Sequence, residues 1–234
     1  MTDLIRTLPL NLPVDTRSLA RVSVDPGLSA GVRAQLAVKR AFDIVAALLG
    51  LVLVAPVLAV VALLVRLDSP GGALFRQTRV GVGGRRFRIV KFRTMVQGAE
   101  AILALDPELL AEYERNNFKL ASEADPRITG LGRFLRQTSL DELPQLWNVL
   151  RGEMSLVGPR PLPENHFDAF GEKKDSYLSM RPGITGYWQV AGRSAAGHAM
   201  PEMTDYYVRN WSLWLDAQVL AKTVPAVLAR HGAH

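Results

Sequence analysis

One segment dominates the pattern of hydrophobic and polar positions. From Ile44 to Val65 the chain runs 22 residues without a charged or strongly polar side chain, with Pro56 just past the middle. That is long enough to reach a bilayer and too long for an ordinary core helix. Pro56 divides the run into halves that each climb about 14–18 Å as helix, so neither half alone crosses a hydrocarbon layer of roughly 30 Å. Lys39 and Arg40 precede the run, and Arg66, Arg76 and Arg79 follow it. Both ends thus carry the positive flank of a cytoplasmic side. The pattern allows a kinked spanning helix or a hairpin that enters and leaves by one face; charge and proline favour the hairpin.

The remaining patterning is shorter in range. Residues 1–32 mix Pro9, Pro13, Pro26, Gly27 and Gly31 with scattered charges and read as an irregular extension. A helix is expected from near Arg33 into the apolar run. After the turn signal Ser69-Pro70-Gly71-Gly72, Ala73–Gln77 reads as a short strand. Gly81, Gly83 and Gly84 make a turn, and Arg86–Met95 alternates as a second strand. Asp106-Pro107-Glu108 is a helix start, with a capping Asp and proline at the first helical position. Ser139-Leu140-Asp141-Glu142 matches a capping box before the stripe Leu143, Leu146, Trp147 and Leu150. Pro144 disturbs that register, which leaves Leu143 as an alternative cap. In either register Asp141 and Glu142 stand at a helix N-terminus. Arg151-Gly152 ends that helix, and Met154–Val157 is a short strand. The last thirty residues carry Tyr206, Tyr207, Trp211, Trp214, Val219 and Val224, either an amphipathic helix at a membrane interface or a helix packed on the core.

Composition narrows the function classes. Hydrophobic content of 48% is ordinary, so the apolar excess is local rather than that of a polytopic transporter. The apolar run begins too late for a secretory leader, and none is expected. No cysteine is present, which excludes disulfide scaffolds and thiolate metal sites. The net charge is +6 and the pI near 9.9. Because the arginines cluster just after the apolar run, that charge points to lipid headgroups and phosphates. No nucleic-acid-binding motif is visible, so nucleic acid is not expected as a partner.

Gly81-Val82-Gly83-Gly84 is not a dinucleotide fingerprint, since Arg86 takes the third glycine position. His166, His198, His231 and His234 lack ligand spacing. What remains is the carboxylate pair Asp141-Glu142 with Lys91, Arg93, Arg136 and Arg160. A carboxylate at a helix N-terminus stays ionised and can attack phosphorus or bind a hard cation. Basic groups around it suit phosphoryl transfer, in which positioning and charge stabilisation dominate.

Five stretches occur in a telling order: Lys91-Phe92-Arg93-Thr94-Met95, Asp125-Pro126-Arg127-Ile128-Thr129, Thr138–Gln145, Met154–Pro161 and Arg181-Pro182-Gly183-Ile184-Thr185-Gly186. With them the chain closely resembles the bacterial sugar transferase family, the monotopic phosphoglycosyl transferases, from about residue 38 to the C-terminus. The resemblance implies transfer of a sugar 1-phosphate from a nucleotide sugar to polyprenyl phosphate at the inner membrane, with a re-entrant helix broken at Pro56. It implies Asp141 as nucleophile and Mg²⁺ contact, Glu142 as its partner, and Lys91, Arg136 and Arg160 as basic groups around the phosphates. The family often has serine before the breaking proline, where this chain has Ala55, and Gly71-Gly72-Ala73 replaces a common Gly-Pro-Val. The stretches Gly186–Arg193 and Tyr206–Trp214 look like hexose-1-phosphate transferases that start exopolysaccharides, which puts galactose or glucose ahead of diacetamido sugars.

The reading is an α+β protein, mainly helical with short strands, embedded through a proline-broken re-entrant helix. Residues 1–32 are an extension, 33–67 the membrane segment, and 68–234 a catalytic domain on the cytoplasmic face with C-terminal interfacial helices. The expected partners are a UDP-hexose, undecaprenyl phosphate and membrane lipids, a homodimer being compatible with it. Two rivals are a catalytically silent scaffold and a basic surface binder, neither of which needs Asp141.

Overall fold

A computed structural model describes residues 29–115, 120–121, 124–191 and 200–228. Helix α1 spans Ala30–Asp68. Ser29 opens it, its hydroxyl accepting from the Val32 N–H at 3.4 Å. The start lies three residues before the expected Arg33; the expectation for residues 1–28 lies outside the described residues. At the other end the helix stops before Pro70 and Gly71, whose φ of 114° suits glycine. The break expected at Pro56 does not divide the helix, which runs through it as one element. Proline removes one i→i−4 hydrogen bond, and the turns on both sides hold the helix together around that gap.

Two stretches fix α1 to the rest of the molecule. In the first, Lys39 donates to the Val157 carbonyl at 2.9 Å and pairs with Asp216 at 2.6 Å. Arg40 donates to the carbonyls of Val149 and Leu150, and Asp43 accepts from the Leu156 N–H at 3.0 Å. In the second, Val61 and Val65 pack with Phe92 and Leu135. Lys39 and Arg40 are therefore not headgroup-facing flanks: Lys39 is only 7% exposed, and both cations are spent on contacts inside the protein. Between and around these anchors Leu49, Val52, Leu53, Val60 and Leu63 are exposed. By length and composition α1 is able to cross a membrane.

Strands β1 (Leu74–Val80) and β2 (Arg86–Phe92) form an antiparallel hairpin, pairing Phe75 with Lys91, Gln77 with Ile89 and Arg79 with Phe87. Helices α2 (Ala99–Leu105) and α3 (Pro107–Arg115) follow, and Asp106 caps α3 as its sequence requires, accepting from the Leu109 N–H at 3.0 Å. Helix α4 (Gly130–Gln137) leads into a 3-10 helix over Leu140–Gln145 and then α5 (Leu146–Leu150). The capping box is not made. Ser139 sits at φ 57° and its side chain caps nothing, because Pro144 is accommodated within a 3-10 segment rather than an α-helix.

Strand β3 (Ser155–Val157) pairs in parallel with β4 (Gly183–Thr185), the crossover carrying a 3-10 helix over Glu164–Lys173 and α6 (Lys174–Leu178). Glycines let the backbones touch at this seam. A Cβ on Gly158 would lie 2.3 Å from the Arg181 carbonyl oxygen, and one on Gly186 would lie 2.2 Å from that of Gly158. Helices α7 (Tyr187–Val190), α8 (Met200–Arg209) and α9 (Leu213–Leu228) complete the described chain. Tyr207, Val208, Trp211, Leu215 and Val219 are core residues, packed with Val157 and Met180. The aromatics expected at an interface are thus mostly internal; Trp214 and Val224 are the exposed ones. Three groups converge on Asp216, which accepts from Tyr207 Oη at 2.6 Å and Trp211 Nε1 at 3.2 Å as well as from Lys39.

This buried pair makes a stability prediction. Lys39→Ala leaves Asp216 charged and desolvated and should cost about 3–5 kcal/mol. Lys39→Ala combined with Asp216→Asn should recover part of that loss in thermal melts, because the uncompensated charge is gone. A double variant that melts below the single one would refute the assignment.

Candidate active site

Alternation along the hairpin decides which charges meet. Phe87, Ile89 and Lys91 lie on one face of β2, and the first two are buried, so Lys91 continues an inward row. Its ammonium donates to Glu142 Oε1 at 2.6 Å. Arg93 lies beyond the end of β2, and the alternation that would have aligned it with Lys91 no longer holds. Its guanidinium instead donates to the carbonyls of Ser69 at 2.7 Å, Val65 at 3.2 Å and Pro70. It closes the C-terminus of α1 and is not one of the groups around Asp141.

Arg136, in the last turn of α4, donates through Nε to Thr94 Oγ1 at 2.9 Å. A close approach makes that reach possible, since a Cβ on Gly132 would fall 2.0 Å from the Thr94 carbonyl oxygen. Arg160 comes from the loop after β3, with Nη2 3.8 Å from Glu142 Oε1. Asp125 and Arg127 form a buried two-point ion pair, with both bonds at 2.8 Å. Burial favours protonation of Asp125, but the bonds from Arg127 outweigh it and hold the carboxyl below its usual range.

Asp141 is 8% exposed, and no donor among the described residues bonds its carboxylate. Burial, opposed by Lys91 and reinforced by Glu142, with Arg136 and Arg160 also opposing, pushes its carboxyl up to about 6. The sequence argument predicted the other direction, from a helix dipole. The segment is a 3-10 helix, whose weak alignment gives less of that field, and burial prevails. The arrangement is a buried carboxylate with its charge-compensating cations nearby but bonded elsewhere: Lys91 to Glu142, Arg136 to Thr94.

No group of three or more potential metal-binding side chains exists among the described residues. Magnesium is commonly held by one or two carboxylates together with substrate phosphates, and Asp141 with Glu142 fits that mode. Of the histidines, His198, His231 and His234 lie outside the described residues. Sequence reasoning missed Arg79, read there as a membrane flank, and Thr94. The signal for Arg79 was its place two residues after Gln77 on a strand, which puts it on the same hairpin face as Lys91.

The chain was compared with known proteins. A family model described as bacterial sugar transferase matches residues 34–230. A UDP-galactose-lipid carrier transferase of Erwinia amylovora is 46% identical over 201 residues, covering 84% of this chain and 41% of that protein. The exopolysaccharide production protein ExoY of Rhizobium meliloti is 40% identical, with 84% and 88% covered. A UDP-glucose:undecaprenyl-phosphate glucose-1-phosphate transferase of Caulobacter vibrioides is 42% identical, with 84% and 72% covered. The chain thus spans about two fifths of the length of the first relative and most of the length of the second. On that match, and on motifs that now surround one buried carboxylate, the chain belongs to the bacterial sugar transferase family.

Proposed function

We propose that the protein transfers a hexose 1-phosphate from a UDP-sugar to undecaprenyl phosphate and releases UMP, as the first membrane step of a surface polysaccharide. The observation that carries this reading is Asp141: a buried carboxylate that no donor among the described residues bonds, bordered by Lys91, Arg136 and Arg160. In the first step an Asp141 oxygen attacks the sugar-bearing phosphorus, and the bond to the bridging oxygen breaks. The electron pair leaves on UMP, and an acyl-phosphate-linked sugar remains on the enzyme. In the second step an oxygen of polyprenyl phosphate attacks the same phosphorus and returns the carboxylate. Two steps let one site serve a soluble donor and a lipid acceptor in turn. Lys91 and Arg160 stabilise charge on the transferring phosphoryl group. A magnesium ion held by Asp141 and the donor phosphates would offset the diphosphate charge. Galactose and glucose are the favoured hexoses, in line with the names of two of the relatives.

The active site is proposed to lie on the cytoplasmic face of the inner membrane, with α1 re-entrant near Pro56. Support comes from the two anchored stretches of α1. Lys39 and Val65 are 26 residues apart, about 39 Å along a straight helix, yet both pack on the same domain. A helix that passed straight through a bilayer of roughly 30 Å could not keep both ends on one side.

This topology predicts that cysteines placed at Ser29 and Ser69 are both protected from an impermeant reagent in intact cells. Labelling of the Ser29→Cys protein alone from outside would exclude the hairpin. The covalent route predicts that enzyme given UDP-sugar and Mg²⁺ but no lipid releases UMP in near-stoichiometric burst, with a hydroxylamine-labile adduct at Asp141. Exhaustive chelation should abolish the burst. If UMP appears only with polyprenyl phosphate and intact mass shows no adduct, the covalent step is wrong.

Asp141 also predicts a pH profile. Its carboxyl is raised from 3.8 to about 6, so the anion is lost as pH falls through 6. The kcat/KM should then drop about tenfold per unit below that point. The same shift means that ionising Asp141 costs stability, progressively as pH rises from about 4 to 6 and fully above. Asp141→Asn should therefore lose about 10³-fold or more in turnover while melting no lower than the wild type at neutral pH. The gain in stability is on the order of 1–3 kcal/mol. A strongly destabilised Asn variant would contradict this electrostatic account.

A further inference from the structure

Arg79 lies in the interior of the site without the compensation a half-buried cation needs. Its Nη1 donates to the Pro161 carbonyl at 3.3 Å and its Nη2 to Gln77 Oε1, while Nε is buried and unpartnered. No carboxylate forms an ion pair with it among the described residues. Its charged neighbours are Arg160 and Glu142, and that carboxylate is already held by Lys91 at 2.6 Å. Burial first, and Arg160 second, push its guanidinium down to about 10. Two arginines therefore face one region with less negative charge than they need.

What holds them there is a separate device. The Tyr177 hydroxyl donates to the Val80 carbonyl and accepts from the Leu162 N–H, both at 3.0 Å. The Val80 N–H also donates to the Leu162 carbonyl at 3.0 Å. These bonds join the residue after Arg79 to the second residue after Arg160. Phe167 and Phe170 pack edge-on against the Tyr177 ring, which is 1% exposed. The backbones that carry the two guanidiniums are thus held together independently of the Arg160–Glu142 pair.

We propose that Arg79 and Arg160 form a phosphate-binding subsite beside Glu142, and that Tyr177 is the positioning residue that fixes their separation. The proposal rests on the transferase reading and adds Arg79 and Tyr177 to it. The ligand class is a phosphate-ester oxyanion, for which the guanidinium fork offers paired bonds. Either the donor's diphosphate or the acceptor's terminal phosphate has that chemistry.

The test measures binding of two probes, UDP and undecaprenyl phosphate, to the full chain in nanodiscs. Arg79→Gln should weaken one probe at least tenfold while its melting temperature stays equal or rises, because an uncompensated buried cation has been removed. Loss of UDP binding assigns the subsite to the donor, and loss of lipid binding assigns it to the acceptor. Tyr177→Phe keeps the ring packing and should weaken the same probe; added to Arg79→Gln it should have little further effect. A purely structural tyrosine would instead give additive losses on both probes, which would overturn its positioning role. If Arg79→Gln binds both probes as tightly as the wild type, the subsite is refuted. So it is if Arg79→Gln unfolds while Arg79→Lys binds both probes normally, since only a general cation would then be needed. A wild-type protein that binds neither probe would sink the transferase reading itself, a result distinct from these.

Discussion

The proposed site turns on one buried carboxylate that no donor among the described residues bonds. A carboxylate among arginines would ordinarily collapse into an ion pair, and a paired carboxylate is a poor nucleophile. Here the cations that act on Asp141 have other partners. Lys91 is taken by Glu142, Arg136 by Thr94, and Arg160 also faces Glu142. The cations still act on Asp141 through space, so they moderate the cost of its burial without consuming it. Glu142 matters in this scheme as the group that holds Lys91 and Arg160.

That arrangement depends in turn on backbone contacts that side chains could not provide. Gly132 lets α4 lie against Thr94, and Gly158, Gly183 and Gly186 close the parallel pair from which the Arg160 loop emerges. The long helix is part of the same structure rather than an appended anchor. Its polar residues Lys39, Arg40 and Asp43 satisfy carbonyls, an amide and a carboxylate in β3, α5 and α9. The exposed remainder of α1 is the apolar surface a bilayer would cover.

Much of this was legible in the sequence, and the gaps have physical causes. The apolar run, the β1–β2 strand pair and the Asp106-Pro107 helix start depend on local pattern, and the structure follows them. The carboxylate pair and the motif arginines were also visible, and Lys91, Arg136 and Arg160 do gather around it. Arg93 was misread because strand alternation was carried one residue past the end of β2. The capping box failed because proline five residues after Ser139 imposed a 3-10 helix. Lys39 and Arg40 looked like headgroup contacts because their partners lie over a hundred residues away, beyond any local pattern. Tyr207 and Trp211 looked interfacial for the same reason, since aromatic residues beside charges have that appearance whether or not a core covers them. The direction of the shift at Asp141 depends on burial, which a sequence does not display.

Arg93 and Lys91 are two residues apart on a single strand end, one bonded to the last carbonyls of α1 and the other to Glu142. The long apolar helix and the cation that holds Glu142 are thus linked through three consecutive residues of backbone. A bilayer thickness that tilted α1 would bear on the same stretch of backbone that carries Lys91. On the proposed function, the lipid would then act on the site through that backbone as well as supply the acceptor.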